Sequence, residues 1–296
     1  MGRITGLLKE GKILLSDGAW GTFLQQKGLK GTDCPEMWNI DHPDDIFQIA
    51  KSYIDAGSDM IETNSFGGNI FKLRSYGLEN EVYKLNKAAA EISRKAAGSD
   101  KIVLGSIGPS GKLLMMGDVT EEELYDAYKN QSIALQDGGA DAIIIETFTD
   151  LQEAVIAVRA AKDNTHCEVI CTMTFDKTLQ DTFYTMMGVS PKEMVKTLIE
   201  NGADIIGANC GNGMENMIGI VKEIRDENSS IPVLVHANAG VPEYIDGETV
   251  FNESPDITAG FIPELIKLNT NIIGGCCGTT PDHIREIGEQ IKKNIK

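Results

Sequence analysis

The chain has 296 residues, of which 42% are hydrophobic and 24% charged, enough to bury the core of one large domain or two small ones. Its net charge of −17 argues against a protein that binds nucleic acid or an anionic membrane, because both surfaces repel an acidic body. No segment approaches the roughly 20 apolar residues that span a bilayer, and the N-terminus lacks the apolar core of a signal peptide. We therefore expect a cytoplasmic protein whose six cysteines are reduced.

Short apolar segments, often rich in β-branched residues, recur along the chain, and each is followed by a segment with helical periodicity. We predict strands over 12–16, 59–63, 101–106, 142–147, 168–174, 204–208, 232–237 and 271–275. We predict helices over 43–56, 81–97, 121–138, 150–163, 191–201, 214–227, 257–268 and 281–295. A Gly-x-Asp phrase at 57–59, 139–141 and 202–204 is interpreted as one helix-to-strand turn used three times.

Strands that are apolar on both faces and alternate with helices are typical of a parallel sheet with helical cover. Eight near-equal units favour an α/β fold of the (β/α)8 TIM-barrel type, with residues 1–296 as a single domain. The alternative is an open, doubly wound sheet. That fold does not require eight units and usually carries an early GxGxxG fingerprint, which we do not find in this sequence.

Three cysteines stand where two of the predicted strands end, which is the face of a (β/α)8 barrel that carries the active site. Cys210 follows the sixth strand, and Cys276 with Cys277 follows the eighth. Three thiolates with one open position form a tetrahedral site that suits Zn²⁺ and leaves room for a substrate. Alternatively, these cysteines are small buried hydrophobes, which is the role we give Cys167 and Cys171 in the fifth strand.

Polar groups at the ends of the first, fourth and seventh strands are the candidates for substrate binding. Asp17 and Glu146 would face the same barrel mouth and are interpreted as a clamp for the ammonium group of an amino acid, or else as carboxylates that cap loops. Backbone N–H groups around Gly18 and Ala19 could take up a substrate carboxylate. Asn238 would bond the substrate, occupy the open metal position, or cap its own loop.

Three further features are given structural roles. Cys34 is expected to be a loop thiol, and His236, within the seventh strand, a satisfied core histidine. The pair Met115-Met116 is expected to pack in a lid or in the core rather than to bind a cofactor.

Segments along nearly the whole chain resemble the homocysteine methyltransferase family. The closest likeness is to the N-terminal homocysteine-binding module of cobalamin-dependent methionine synthase, and betaine-dependent and S-methylmethionine-dependent enzymes are more distant relatives. The matching segments are LLSDGAWGT (14–22), GSDMIETNSFGGN (57–69), KLRSYGLE (72–79), GSIGPSG (105–111), IIIETFTD (143–150), GANCG (207–211), HANAG (236–240) and GGCCGTTPDHI (274–284). The most specific are GANCG and GGCCGTTP, because they contain the three strand-end cysteines.

The resemblance implies a barrel in which Cys210, Cys276 and Cys277 bind zinc, with Glu146 as a further catalytic residue. It also implies that Asp17, Gly18 and Glu146 hold homocysteine, with Ala19 and Asn238 nearby. Zinc would convert a thiol that is mostly protonated at neutral pH into a thiolate that attacks an electrophilic methyl group. The predicted enzyme is a zinc-dependent homocysteine S-methyltransferase that forms methionine.

The methyl donor is the least constrained part of this prediction. Because few residues follow the last motif, we expect methylcobalamin carried by a separate corrinoid protein that docks over the barrel mouth. The alternatives are a homocysteine methyltransferase that uses S-methylmethionine or betaine, and a non-catalytic homocysteine-binding module of a larger complex. A structural zinc barrel or an aldolase is the weakest interpretation, since no Schiff-base lysine stands convincingly at a strand end.

Overall fold

Eight parallel strands line the centre of the molecule in the computed structural model, which describes residues 2–245 and 248–295. They are β1 (Leu14–Leu15), β2 (Met60–Glu62), β3 (Ile102–Ile107), β4 (Ala142–Phe148), β5 (Glu168–Met173), β6 (Ile205–Asn209), β7 (Val233–Ala237) and β8 (Ile272–Gly275). Each predicted strand segment contains one of them or overlaps it by most of its length.

The strand order is β1-β8-β7-β6-β5-β4-β3-β2, and every neighbouring pair is parallel. The seam between β1 and β2 is held by a backbone bond from Asp59 N–H to the Leu15 carbonyl (2.7 Å) and by Ser58 Oγ on the Ser16 carbonyl (3.1 Å). Farther along the seam the Glu62 N–H donates to the Asp17 carboxylate (2.8 Å). The sheet is thus a nearly closed barrel, and the predicted (β/α)8 fold is confirmed.

Helices cover the barrel on its outer side and close its N-terminal end. Their bounds are α1 (Arg3–Lys9), α2 (Gly21–Gln26), α3 (Trp38–Asp41), α4 (Pro43–Ala56), α5 (Ile70–Arg74), α6 (Val82–Ala97), α7 (Glu121–Asp137), α8 (Leu151–Asn164), α9 (Pro191–Glu200), α10 (Met214–Glu227), α11 (Pro255–Gly260), α12 (Ile262–Lys267) and α13 (Pro281–Asn294). Two of them begin with capping boxes, formed by Thr120 with Glu123 and by Ser190 with Glu193. Among the described residues, no helix is both long and apolar enough to cross a membrane.

The apolar core has two layers because successive strand residues point to opposite sides. The layer inside the barrel is closed at its N-terminal end by α1 and contains Ile4, Leu8, Leu14, Met60, Ile102, Leu104, Ile144, Ile170, Ile205, Leu234 and Ile272. The layer between strands and helices includes Leu15, Ile61, Val103, Ile143, Val169, Cys171, Ile206, Val235 and Ile273. Cys171 is fully buried and Cys167 nearly so, which confirms the core role predicted for both.

Two differences from the sequence prediction have local causes. The helix predicted over 257–268 is two helices, α11 and α12, that meet at Phe261. Pro263 has no N–H and its ring crowds the carbonyl four residues earlier, so a continuous helix cannot form there. The N-terminal α1, which we did not predict, is stabilised by the Glu168 carboxylate, which accepts the N–H groups of Ile4 (2.7 Å) and Thr5 (2.9 Å).

Candidate active site

The three predicted cysteines meet at the C-terminal end of the barrel. The Cys210 and Cys277 sulfur atoms are 3.9 Å apart and those of Cys276 and Cys277 are 4.0 Å apart, while all three lie within 4.8 Å of one another. All three thiols are free, and their separation is far beyond the roughly 2 Å of a disulfide bond. Among the described residues this is the only group of three or more His, Cys, Asp or Glu side chains so placed that it could hold a metal ion.

Local backbone geometry brings these thiols together. Cys210 has a φ of 59°, a left-handed conformation that non-glycine residues seldom adopt outside functional or strained sites. Its N–H donates to the His236 carbonyl (3.0 Å), and the Cys276 N–H donates to the Ala237 carbonyl (2.7 Å), so both loops are tied to the end of β7. Gly275 has to be glycine, because a Cβ there would lie 2.2 Å from the Thr279 hydroxyl oxygen.

The sulfur arrangement fits a tetrahedral metal ion. Thiolates bound to Zn²⁺ at about 2.3 Å with tetrahedral angles stand about 3.8 Å apart, close to the 3.9 and 4.0 Å found here. Hydrogen bonds from the other two thiols lower the pKa of Cys210 to about 3, and hydrogen bonding to Cys210 raises the pKa values of Cys276 and Cys277. Three thiolates held this close together require a cation to balance their charge.

The other cysteines lack this setting. Burial raises the pKa of Cys34 to about 12 and that of Cys167 to about 11, and it raises the pKa of the fully buried Cys171 as well. Cys34 lies in the loop before the short 3-10 helix Pro35–Met37, in agreement with its prediction as a loop thiol. Burial thus favours the protonated form of these thiols, and none of them belongs to the three-cysteine group.

Glu146 near the end of β4 is a buried carboxylate that faces the thiols' side of the barrel. The Ser106 hydroxyl donates to its Oε1, and the Asn209 side chain lies 3.4 Å from its Oε2. Burial, and then the neighbouring Glu62 carboxylate, raise the pKa of Glu146 well above its ordinary value. Glu146 lines the same cavity as the three cysteines.

Asp17 lies deeper than Glu146, at the seam of the barrel, and is fully buried. Its carboxylate accepts hydrogen bonds from the Glu62 N–H (2.8 Å), the Trp20 indole N–H (2.9 Å) and the Ser16 hydroxyl (3.3 Å). Burial is the largest influence on its pKa and raises it, although the Glu62 N–H and His236 act in the opposite direction. Asp17 therefore connects the loop that follows β1 to the last residue of β2.

A cavity of about 410 Å³ opens beside these residues at the barrel mouth. Its inner wall contains the three cysteines, Glu146, Glu62, Ser106, Gly18 and Ala19, and its outer wall includes Trp20, Glu36, Phe66, Lys72 and Tyr76. The predicted substrate residues Gly18, Ala19 and Glu146 are thus brought to one cavity. Asp17 and Asn238 lie behind its wall, fully and almost fully buried respectively.

Two of the predicted substrate groups already have partners. The Ala19 N–H donates to the Thr279 hydroxyl (3.1 Å) and lies 3.3 Å from the Thr279 carbonyl. The Asn238 N–H donates to the Asn212 carbonyl (2.9 Å), while the side-chain Oδ1 of Asn238 is buried without a hydrogen-bond partner.

The structure adds Glu62, Asn209 and His236 to the site. Glu62 ends β2, the position that Glu146 occupies near the end of β4, and the same strand-end rule would have found it. Asn209 immediately precedes Cys210 and joins three strand ends, a role that no sequence pattern indicates. His236 is buried as predicted, but it is not satisfied, because its Nε2 has no hydrogen-bond partner.

A family model for homocysteine S-methyltransferases matches residues 14–291, which is nearly the whole chain. The chain belongs to the homocysteine S-methyltransferase family. It is 32% identical over 305 aligned positions to the methionine synthase of Mycobacterium leprae and 35% identical over 309 to that of Mycobacterium tuberculosis. These matches cover 95% and 96% of this chain but only 24% and 25% of the relatives, so the chain spans about a quarter of their length.

The fold of the family is also found in a solved structure. The metallated form of the homocysteine methyltransferase MmuM from Escherichia coli aligns with a TM-score of 0.78 and 23% identity, over 97% of this chain and 99% of that one. The oxidised form of the same enzyme gives 0.78 and 24%. At this identity the likeness establishes the shared barrel, and the sequence prediction of a homocysteine S-methyltransferase is confirmed at the level of the family.

Proposed function

We propose that this chain is a zinc-dependent methyltransferase that activates homocysteine as a thiolate and methylates it to methionine. The observation that carries the proposal is the set of three sulfur atoms, spaced for one tetrahedral ion, on the inner wall of a cavity that also presents buried carboxylates. Membership of the family supports homocysteine as the thiol. The methionine synthase relatives support methionine as the product.

Cys210, Cys276 and Cys277 would hold the zinc ion. When bound, zinc supplies a Lewis acid that lowers the pKa of a thiol in the open position, so that the thiol loses its proton at neutral pH. Glu146 would orient the amino-acid end of homocysteine, because its carboxylate is fixed by Ser106 and Asn209 and faces the cavity. The homocysteine sulfur then forms the new S–CH3 bond, and the electron pair of the broken bond leaves with the donor.

We propose methylcobalamin as the donor, carried on a separate corrinoid protein. Exposed apolar side chains on the loops that follow β2, β3, β5 and β7 support a protein partner at the mouth, because isolated globular surfaces seldom expose so many on one face. They are Phe66, Tyr76, Leu113, Met115, Met116, Leu179, Tyr184, Met186, Met187, Val241 and Tyr244. Met115 and Met116 are 74% and 68% exposed, so the core alternative for this pair is wrong.

The test is methyl transfer to homocysteine from methylcobalamin, S-methylmethionine and betaine in separate reactions, with zinc measured on the same preparation. We expect about one zinc ion per chain and turnover with methylcobalamin. Turnover with only S-methylmethionine or betaine would contradict methylcobalamin and identify that compound as the donor. Zinc-dependent homocysteine binding without turnover from any donor would show a binding module of a larger complex instead.

A further inference from the structure

Thr147, the residue after Glu146 on β4, lines the cavity in an unusual backbone conformation. Its φ of 63° lies in the left-handed region, where a β-branched residue is a rare outlier. Asn209 holds it there, because the Asn209 side chain accepts the Thr147 N–H (2.8 Å) and donates to the Thr147 hydroxyl oxygen (2.7 Å). Strained residues that are fixed in this way are concentrated at functional sites.

The serine and threonine hydroxyl groups on the cavity wall differ in whether their protons have an acceptor. The wall includes four of them, on Thr63, Ser65, Ser106 and Thr147. Ser106 donates to Glu146, and Ser65 donates to the Ser106 carbonyl (2.7 Å). Since the Ser65 proton is thereby placed, the contact between Thr63 and Ser65 (2.6 Å) is a bond donated by Thr63. The Thr147 hydroxyl is only an acceptor, so among these four described residues it alone has a proton without an acceptor in the protein.

Exposure to the cavity also separates Thr147 from the other three residues. Thr63, Ser65 and Ser106 are 2% exposed or less, whereas Thr147 is only partly buried. The oxygen of the Thr147 hydroxyl already accepts from Asn209, so its proton points away from that amide. The site therefore presents one accessible hydrogen-bond donor that a ligand in the cavity could use.

The position of this donor indicates which atoms of an amino-acid thiol it would meet. Asn209 Nδ2 contacts both the Thr147 hydroxyl oxygen (2.7 Å) and Glu146 Oε2 (3.4 Å), so the hydroxyl stands beside the carboxylate that would orient the amino-acid end. In homocysteine the α-carboxylate is attached to the same carbon as the ammonium group. The Ala19 N–H, predicted to take up this carboxylate, already donates to Thr279 (3.1 Å).

We propose that the Thr147 hydroxyl donates to the α-carboxylate of the thiol substrate and thereby favours amino-acid thiols over aminothiols without a carboxylate. This inference rests on the proposed function, because it names a specificity-determining residue of the same site. A hydroxyl suits this task, since hydrogen bonds to a charged acceptor are stronger than those between neutral groups. The bonds from Asn209 fix the hydroxyl oxygen before the substrate arrives, which lowers the cost of ordering it.

The test compares homocysteine with 3-aminopropane-1-thiol, which differs from it only in lacking the carboxylate. Calorimetric titration of the zinc-loaded protein measures both affinities without a methyl donor. We expect Thr147→Val, which keeps the β-branch and removes the hydroxyl, to weaken homocysteine binding about 10- to 100-fold and to change 3-aminopropane-1-thiol binding much less. Thr147→Ser keeps the hydroxyl and should retain most of the preference. Thr147→Ala gives the same comparison if the valine variant does not fold.

Thr172→Val is the matched control, because it also removes a threonine hydroxyl that contacts Asn209 (2.7 Å). Thr172 lies on β5, is fully buried and is not part of the cavity wall. We expect this variant to leave the ratio of the two affinities unchanged. Thermal unfolding curves show which of the variants fold.

Three results would overturn the inference and leave the proposed function standing. The first is an unmodified protein that binds both thiols equally well. The second is a Thr147→Val protein that keeps the full preference for homocysteine or weakens both thiols equally. The third is a Thr172→Val protein that loses as much of the preference as Thr147→Val. If the unmodified zinc-loaded protein binds neither thiol, the proposed function fails together with the inference.

Discussion

The two ends of the barrel differ in how their buried and half-buried polar side chains are hydrogen-bonded and paired with opposite charges. At the N-terminal end, one residue stands directly before each of the strands β2, β4, β6 and β8. Its side chain accepts hydrogen bonds from a backbone N–H and from a lysine or arginine. At the C-terminal end, Glu62 and Glu146 face a cavity with no cation on its inner wall. The N-terminal end therefore contributes to stability and the C-terminal end carries the candidate active site, as expected of a (β/α)8 enzyme.

The N-terminal end uses one turn four times. Asp59, Asp141, Asp204 and Asn271 each donate their N–H to the strand before them and accept, through the side chain, the N–H of that same strand. The cations that complete these turns are Lys101, Arg94, Lys162 and Arg225. Three of these turns are the Gly-x-Asp phrases predicted from the sequence.

The C-terminal end instead contains strained backbone conformations and buried polar atoms without hydrogen-bond partners. Thr147 and Cys210 both have a positive φ, and Glu62 Oε1, His236 Nε2 and Asn238 Oδ1 are buried without hydrogen-bond partners. Such groups cost stability in the free protein and persist where a ligand or metal would satisfy them. The four predictions below separate the two ends by experiment.

The largest effect is expected at the metal ligands. Cys276→Ala should remove stoichiometric zinc and reduce turnover by well over about 100-fold, because even residues that only orient metal ligands cost about 10- to 100-fold when removed. Metal analysis and methyl transfer measured on the same sample check this. Cys171→Ala is the control, since Cys171 is a buried core thiol and should keep its zinc. Full turnover by metal-free Cys276→Ala would falsify the zinc mechanism.

The next effect is expected at Asn209, which joins the ends of three strands. Its side chain accepts from the Thr147 N–H (2.8 Å) and the Thr172 hydroxyl (2.7 Å), and it donates to the Thr147 hydroxyl (2.7 Å). Asn209→Ala should lower kcat/KM about 10- to 100-fold, because Glu146 loses the side-chain contact at its Oε2 and the Thr147 N–H loses its acceptor.

Steady-state kinetics and zinc affinity measured together check the Asn209 prediction. Asn201→Ala, which removes a helix-end hydrogen bond far from the cavity, is the control and should leave kcat/KM unchanged. An Asn209→Ala enzyme with ordinary kcat/KM and lower thermal stability alone would assign Asn209 to the scaffold.

Asp204→Ala tests the N-terminal end and should affect stability only. The Asp204 carboxylate binds the Val169 N–H (2.8 Å) and Lys162 (2.8 Å), and removing it leaves a partly buried N–H unpaired. We expect a loss of about 1–3 kcal/mol in the free energy of unfolding, measured by denaturant titration, with zinc content and KM unchanged. Asp226→Ala is the control: because Asp226 is exposed, its loss should change the free energy of unfolding by less than about 0.5 kcal/mol.

The smallest effect is a pH dependence at the start of α9. The Ser190 N–H and hydroxyl donate to Glu193 and lower its pKa, so the unfolded chain binds more protons than the folded one just below the ordinary pKa. This contribution to stability is present above about pH 4.3 and is lost as the pH falls through the lower folded pKa.

The measurement is the melting temperature of the unmodified protein and of Glu193→Gln between neutral and acidic pH. The two curves should converge at low pH, with a small gap at neutral pH because Glu193 is exposed. Glu200→Gln, at the other end of the same helix, is the control. A gap that widens as the pH falls would contradict the assigned direction of the pKa shift.

The sequence by itself determined the architecture and selected the candidate metal ligands. Apolar segments, capping residues and the repeated Gly-x-Asp turn are local signals, and eight repetitions leave few ways to bury every strand except a closed barrel. Cys210, Cys276 and Cys277 could be selected because they follow strands, whose ends share one face whatever the exact register, and because they stand in the segments that resemble the family.

Only the tertiary structure decided which carboxylates line the cavity and which one hydrogen-bonds within the barrel seam. Asp17, Glu62 and Glu146 all stand at or beside strand ends in the sequence, yet Asp17 is taken up by the seam between β1 and β2, while Glu62 and Glu146 face the cavity. The helix break before Pro263 could have been predicted from the local sequence. The directions of the Asp17, Glu62 and Glu146 side chains could not. Those directions depend on how the first and second strands close the barrel, and closure joins groups far apart in sequence.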